Sequence, residues 1–265
     1  MLEERLAEFE YAVQNYDDGL LFFYFSSSDL QSHMFWWDSD DAHPLRSTSE
    51  AQHYFQHIQR LYQTLDKVVG DVYDRYGDRA TIFVMSDHGF SNFGRQFNLN
   101  SWLRDLGYLG PTDCTSILQN CDWTQTVAYG LGINGLYLNL KGRERDGIVE
   151  PGEEREALLT ELTQMLEDAQ DFNGQRVIRK VYRDDEYRAS WATCLGDLTE
   201  EVLLDNDAAW SADHCCDAAE VPGLLCCNRP LAHGNPTLVD IAPSILDRFG
   251  LKTPATMTGR SLFQT

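Results

Sequence analysis

The sequence lacks a long apolar segment and is poor in basic side chains. The longest apolar run near its start, residues 20–25, is far shorter than the roughly 20 residues that cross a bilayer. Its first residues carry acidic side chains where an export signal has basic ones, and no apolar stretch follows them directly. With 21 basic against 42 acidic residues, a formal charge of −21 repels phosphate backbones and anionic lipids. We therefore expect a cytoplasmic protein that binds neither a membrane nor a nucleic-acid polymer.

The cysteines form no C-x-x-C pair, which argues against a structural zinc knuckle. Their number is odd. Four of them form two pairs of sequence neighbours, at 215–216 and 226–227, and a disulfide within such a pair is difficult to form. Buried, reduced thiols suit a reducing compartment, although the sequence also allows one disulfide. The seven positions are Cys114, Cys121, Cys194, Cys215, Cys216, Cys226 and Cys227.

Apolar spacing along the 265 residues predicts an α/β protein whose core fits one sizeable domain. Apolar runs that would be buried on both faces are typical of a mostly parallel central sheet covered by helices on both faces. We predict a single domain, 1–265, with an inserted subregion at 127–200. Helices are predicted at 2–14, 49–76, 98–106, 153–166 and 237–249, strands at 20–25, 81–85, 176–181 and 221–226, and a hairpin at 127–140.

Three polar motifs lie where a sheet of this kind places its ligands, beside the ends of strands. A D-x-x-x-H motif follows the first predicted strand, an S-D-H-G motif ends the second, and an S-A-D-H motif precedes the last. Each motif alone also fits an ordinary turn with a surface histidine. Together they offer oxygen and nitrogen donors that suit Zn²⁺ or Mn²⁺. The candidate ligands are Asp29, His33, Asp87, His88 and His214.

The order of these motifs resembles the alkaline phosphatase superfamily, and in particular its type I phosphodiesterase/nucleotide pyrophosphatase branch. Residues 238–246 and the G-R-S-L segment at 259–262 are also similar to the family's closing helix and tail, so the resemblance spans nearly the whole chain. It implies an alkaline-phosphatase-like fold, incomplete at its N-terminus. It also implies hydrolysis of phosphodiester or pyrophosphate bonds in a small phosphorylated substrate by two-metal phosphoryl transfer.

The resemblance implies two divalent ions, with zinc as the first expectation and manganese as the second. One ion would be held by Asp29, His33 and His214, while Asp87 and His88 would contribute to the other. His233, in an A-H-G segment, is the rival for the place of His214. It is disfavoured because it follows the last predicted strand and directly precedes the closing helix.

The family's reaction needs two further groups that belong upstream of Asp29: a carboxylate from the first strand and a Thr or Ser nucleophile. Only 28 residues precede Asp29, and the serines at 26–28 are better explained as a turn at the strand end. No catalytic nucleophile is therefore assigned. We expect the carboxyl-terminal half of a longer enzyme, or a shortened gene, that binds at least one metal ion and hydrolyses diesters poorly or not at all.

Other functions compete with the diesterase. Cofactor-independent phosphoglycerate mutases share the D-H-G motif but usually continue it with Asn, whereas this chain has Phe90. Sulfatases need a C/S-x-P-x-R motif, which is absent from the sequence. A non-catalytic remnant of the fold that keeps its metal is a further alternative, as is a binding module without metal.

Two other groups of residues are less specific. Met34 and the aromatic side chains at 35–37 could form a stacking wall for a substrate group, or an ordinary buried cluster. Basic side chains in the inserted subregion could guide a phosphorylated substrate, or be ordinary surface charge; they are Lys141, Arg143, Arg145, Arg179 and Arg183.

Overall fold

The structure is a computed structural model that describes residues 2–48, 51–111, 118, 120–132, 134–183, 194–195 and 201–263. The helices are α1 (Leu2–Gln14), α2 (Ser26–Phe35), α3 (His57–Tyr76), α4 (Leu99–Asp105), α5 (Glu153–Glu167) and α6 (Ile241–Arg248). The strands are β1 (Phe83–Met85), β2 (Ser91–Asn92), β3 (Arg95–Asn98), β4 (Ala128–Leu131), β5 (Gly135–Leu138), β6 (Cys194–Leu195), β7 (Leu203–Asp205), β8 (Ala212–Asp213) and β9 (Leu225–Cys227).

The strands pair into small sheets, most of them antiparallel. β1 pairs with β9, β2 with β8, and β4 with β5, while β3 lies between antiparallel β7 and parallel β6. The mixed α/β class is confirmed. The described residues do not form the predicted parallel central sheet, because each strand spans only two to four residues and finds at most two neighbours.

The chain divides into two compact units. The first unit comprises Met1–Ile58 and Phe90–Glu220, and the second comprises Gln59–Gly89 and Val221–Thr265. One domain with an inserted subregion at 127–200 stays a prediction, and 184–193 and 196–200 of that subregion lie outside the described residues. In the part of the chain that the structure describes, no helix has the length and apolar character needed to cross a bilayer.

The apolar core of the first unit lies between α4, α5 and the β4–β5 hairpin. Leu103 and Ala128 are fully buried, and Leu162 of α5 is 1% exposed. Glutamates in the first turn of α5 favour its helical start, because they face the positive end of the helix dipole. The hairpin turns at Asn134, whose positive φ of 66° is tolerated by asparagine. The predicted hairpin and the helices at 2–14, 98–106 and 153–166 are thus confirmed.

The predicted strand at 20–25 is wrong. The segment is irregular backbone and is not buried on both faces, since only Phe23 and Phe25 pack on Phe9 of α1, with ring centroids 5.0 and 5.3 Å away. Phe22 and Tyr24 point outward and are 75% and 54% exposed. The reason is a lack of ladder partners, since none of the strands in the described ranges pairs with this segment.

Other elements also differ from prediction, and the strand predicted at 221–226 begins only at Leu225. The helix predicted at 49–76 is α3, which begins at His57, and Phe55 upstream of it is 48% exposed. Ile58 and Leu61 of α3 are buried. The predicted strand at 176–181 is irregular backbone apart from one bridge at its start, Gln170 to Arg176. Position 49 itself lies outside the described residues.

The second unit is built on β1 and its partner β9, in the register Phe83 with Cys227. The backbone at Gly89, just after β1, closely approaches the backbone at Pro222, since a Cβ on Gly89 would lie 2.8 Å from the carbonyl oxygen of Pro222. The closing helix, α6, is confirmed and follows a short 3₁₀ turn, Leu238–Asp240. Among the described cysteine side chains, all are free thiols: Cys121, Cys215, Cys216, Cys226 and Cys227.

Candidate metal centre

Helix α2 brings together the first two predicted ligands. Asp29 lies in its first turn and His33 in its last, four residues apart, so both side chains lie on one helix face. Asp29 Oδ1 is 3.7 Å from His33 Nε2. This distance is too long for a hydrogen bond, and the two atoms face a common space.

A backbone carbonyl fixes the orientation of His33. Its Nδ1 donates a hydrogen bond of 2.8 Å to the carbonyl oxygen of Ala212 in β8, and the side chain is buried. Because a carbonyl can only accept, the neutral ring carries its proton on Nδ1. The lone pair on Nε2 is then directed toward Asp29, as in histidines that bind metals.

A second set of hydrogen bonds holds α2 against β8. Ser211 donates to the carbonyl oxygen of His33 from its backbone nitrogen at 2.7 Å and from its hydroxyl at 3.0 Å. Its own carbonyl accepts from His43 Nε2 at 3.1 Å, while His43 Nδ1 accepts from the backbone nitrogen of Leu45 at 3.2 Å. His43 is therefore a neutral structural residue that supports the site through Ser211.

His214 follows β8 directly and supplies the second imidazole. Its Nε2 is 3.7 Å from Asp29 Oδ1, and the rings of His33 and His214 have centroids 5.1 Å apart. Donor atoms that lie about 2.0–2.1 Å from one zinc ion are at most about 4.2 Å apart. The two distances from Asp29 Oδ1, to His33 Nε2 and to His214 Nε2, are thus within the range that a shared ion allows.

Asp213 is close to the ligands, but its oxygens are engaged elsewhere. Asp213, His214 and Cys215 have donor atoms within 4.8 Å of one another. Asp213 Oδ1 accepts from the backbone nitrogens of His214 and Cys215 at 2.7 and 2.8 Å, and Oδ2 accepts from the indole nitrogen of Trp210 at 3.0 Å. Burial opposes ionisation, yet these hydrogen bonds hold the pKa of the Asp213 carboxyl below its usual value. Its role is structural.

Cys215 is an unsuitable ligand in this structure. Burial first, then the hydrogen bond to Asp213 and its negative charge, raise the pKa of the Cys215 thiol to about 12. The thiolate form that binds soft metals is therefore disfavoured. The oxygen and nitrogen set of Asp29 and the two histidines fits a divalent ion better.

Aromatic rings enclose the two imidazoles. Trp210 stacks on His33, with centroids 3.8 Å apart and planes at 26°. Phe90 meets His33 and His214 edge-on at 4.9 and 5.5 Å. Sequence reasoning missed Trp210 and Asp213 as site residues. The only signal was their position, four residues and one residue before His214.

The second unit holds Asp87 and His88 at the end of β1. Asp87 Oδ1 is 3.7 Å from His88 Nε2, and His88 Nδ1 donates to the carbonyl oxygen of Gly89 at 2.9 Å. This pair repeats the arrangement of Asp29 and His33, with Nδ1 committed to a carbonyl and Nε2 facing a carboxylate. Asp87 also lines a cavity of about 430 Å³ together with Gly234. His233 belongs to this same unit.

The basic side chains of the inserted subregion have acidic partners. Arg183 pairs with Glu156, and Arg179 pairs with Glu220. Lys141 is 2.5 Å from Glu150. Because these cations are neutralised locally, the structure favours ordinary surface charge over guidance of a phosphorylated substrate.

Residues 34–37, which follow His33, do not share one environment. Trp37 is buried, whereas the ring of Trp36 lies beside that of Phe90, with centroids 5.6 Å apart.

Comparison with known proteins supports the arrangement of motifs. The family model described as type I phosphodiesterase / nucleotide pyrophosphatase matches residues 2–219. This range includes all of the candidate ligands Asp29, His33, Asp87, His88 and His214, and it excludes His233. No curated protein and no solved structure matches the chain.

Proposed function

The chain belongs to the type I phosphodiesterase/nucleotide pyrophosphatase family, and from this premise we propose that it binds divalent metal ions and hydrolyses phosphodiester or pyrophosphate bonds. The observation that carries the proposal is one carboxylate facing two imidazoles. Asp29 Oδ1 is 3.7 Å from the Nε2 atoms of both His33 and His214. Three protein ligands with an open position are typical of catalytic zinc sites, and manganese is the second candidate.

The chain's own residues would prepare this site for its ion. The carbonyl of Ala212 keeps the His33 proton on Nδ1, so Nε2 is free to bind. Asp29 would contribute the negative charge, and Asp87 with His88 would contribute ligands to a second ion. When bound, such ions polarise phosphoryl oxygens and stabilise the negative charge that develops during phosphoryl transfer.

We expect this polypeptide to bind metal ions but to hydrolyse diesters slowly. Members of the family also use a further aspartate and a hydroxyl nucleophile upstream of the D-x-x-x-H motif, and no residue before Asp29 is assigned to either role. In the structure, Ser26–Phe35 is the helix that carries Asp29, so the serines at 26–28 form its first turn. Hydrolysis of a diester by this chain should therefore be slow, and its substrate a small phosphorylated molecule.

Elemental analysis of the purified full chain tests the proposal. We expect about one zinc or manganese per chain at the Asp29 site, lost in Asp29→Asn and in His214→Ala. His233→Ala is the matched control, since it removes an imidazole that the proposed ligand set does not include, and it should keep the metal. A parent protein that holds no ion after incubation with zinc or manganese would refute the proposed function and favour a metal-free remnant of the fold.

A bis-p-nitrophenyl phosphate assay on the metal-loaded chain tests the second half of the proposal. Slow hydrolysis that disappears in Asp29→Asn is the expected result. Rapid turnover would contradict the statement that no residue of this polypeptide acts as an efficient nucleophile.

A further inference from the structure

We propose that Trp210 is a positioning residue that orders both imidazoles of the Asp29 site, His33 through its ring face and His214 through Asp213. This inference rests on the proposed function, because it concerns the same ligand set. It adds a residue that neither the motifs nor the family match assigns to the site.

The first contact is the stack between Trp210 and His33. With centroids 3.8 Å apart and planes inclined by only 26°, the indole covers one face of the imidazole. Phe90 meets the same imidazole edge-on, at a centroid distance of 4.9 Å and an interplanar angle of 81°. Rotation of the His33 ring about its Cβ–Cγ bond would separate it from the indole and break the hydrogen bond to Ala212.

The second contact runs through the indole nitrogen. Trp210 Nε1 donates to Asp213 Oδ2 at 3.0 Å, and Asp213 Oδ1 accepts from the backbone nitrogens of His214 and Cys215. The carboxylate is thereby locked between the indole and the backbone that carries His214. Hydrogen bonds to a charged group are the stronger ones, so this chain should hold the His214 backbone firmly.

The backbone of Trp210 is itself anchored, so the side chain has a fixed base. Its carbonyl oxygen accepts from Asn206 Nδ2 at 2.7 Å, and the same amide donates to the carbonyl of Phe93 at 2.6 Å. Asn206 is buried. Trp210 therefore contacts His33 through the face of its ring. Through its indole nitrogen it contacts Asp213, which accepts from the backbone of His214.

Substitutions at Trp210 and Asp213 separate the two contacts. Trp210→Phe keeps an aromatic ring against His33 but loses the N–H, and Asp213→Asn loses the acceptor for that N–H. Each should weaken Co²⁺ binding about 10-fold, while Trp210→Leu, which removes both contacts, should weaken it by up to about 100-fold, the range for loss of groups that orient metal ligands. The double variant Trp210→Phe/Asp213→Asn should bind Co²⁺ about as well as either single variant, because both substitutions remove the same hydrogen bond, that from Trp210 Nε1 to Asp213 Oδ2.

The experiment is a Co²⁺ titration of the full chain followed by visible absorption, which reports the geometry of the ligands as well as the affinity. Trp210→Leu should change the shape of the Co²⁺ spectrum, which a loss of general stability would not do. Trp123→Phe is the matched control, because it makes the same chemical change at a tryptophan that packs on Tyr129. It should leave affinity and spectrum unchanged. Far-UV circular dichroism of each metal-free variant confirms that it is folded.

The outcomes distinguish this inference from the proposed function. If the parent binds Co²⁺ through Asp29 but Trp210→Phe, Trp210→Leu and Asp213→Asn all match its affinity and spectrum, the positioning role is refuted and the metal site stands. Strictly additive losses in the double variant would also refute the connection through Asp213. If the parent binds no Co²⁺, or Asp29→Asn binds it as well as the parent, the proposed function fails and the positioning role fails with it.

Discussion

Replacement of His43 by phenylalanine should destabilise the first unit by about 1–3 kcal/mol. His43 is 3% exposed, and its two ring nitrogens serve opposite roles, donating to Ser211 and accepting from Leu45. Loss of each of the two hydrogen bonds costs about 1 kcal/mol net, with a range of about 0.5–1.5 kcal/mol. The carbonyl of Ser211 keeps the backbone nitrogen of Phe93 as a donor at 3.0 Å, so this buried acceptor is not left unpaired. Phenylalanine fills a similar volume, so a cavity adds little.

Urea denaturation followed by tryptophan fluorescence measures this loss. For a unit of this size, about 2 kcal/mol also corresponds to a fall of roughly 4–8 °C in melting temperature. His53→Phe is the matched control within the same unit, since His53 is exposed and its replacement should change stability by no more than about 0.5 kcal/mol. If His43→Phe and His53→Phe unfold at the same urea concentration, the structural role given to His43 is wrong.

Two further predictions concern stability. Leu103→Ala should lower the free energy of unfolding by about 2–5 kcal/mol because Leu103 is fully buried, whereas Leu106→Ala at a 44% exposed position should cost far less; equal losses in urea denaturation would contradict the core assigned here. Asp240→Asn should cost about 1–2 kcal/mol at pH 7, because the Asp240 carboxylate accepts from the backbone nitrogens of Arg260 and Thr237, which hold the pKa of that carboxyl below its usual value. A carboxyl whose pKa is lower in the folded than in the unfolded state stabilises the fold at pH values above its unfolded pKa. The difference in unfolding free energy between variant and parent should therefore stay constant down to about pH 4 and shrink as the pH falls further. A difference that grows on acidification would refute this.

The sequence was most informative where one amphipathic helix meets one core. α5 and the β4–β5 hairpin were predictable because their apolar spacing and turn residues agree with the cluster around Leu162. Residues 20–25 show the opposite case. Their β-prone composition predicts a strand, but a strand exists only with a partner, and local composition does not supply one.

The candidate site divides in the same way. The D-x-x-x-H spacing predicts that Asp29 and His33 can face the same point, but the helix that carries them, Ser26–Phe35, was not predicted. The structure places His214 beside them. Trp210 and Asp213 could not be predicted from spacing, because their contributions depend on a ring stack and on hydrogen bonds to backbone atoms. Such contacts depend on how β8 lies against α2, which no local pattern encodes.

The outward face of residues 20–25 has a consequence for the protein in concentrated solution. Phe22 and Tyr24 expose large rings on a segment with no charge and no proline, which is the composition of strands that associate between molecules. The net charge of −21 opposes such encounters by mutual repulsion. That repulsion reaches about 30 Å at 0.01 M salt but only about 3 Å at 1 M. Ionic strength should therefore govern the shelf life of this protein, with dilute salt keeping the molecules apart and concentrated salt bringing the exposed rings into contact.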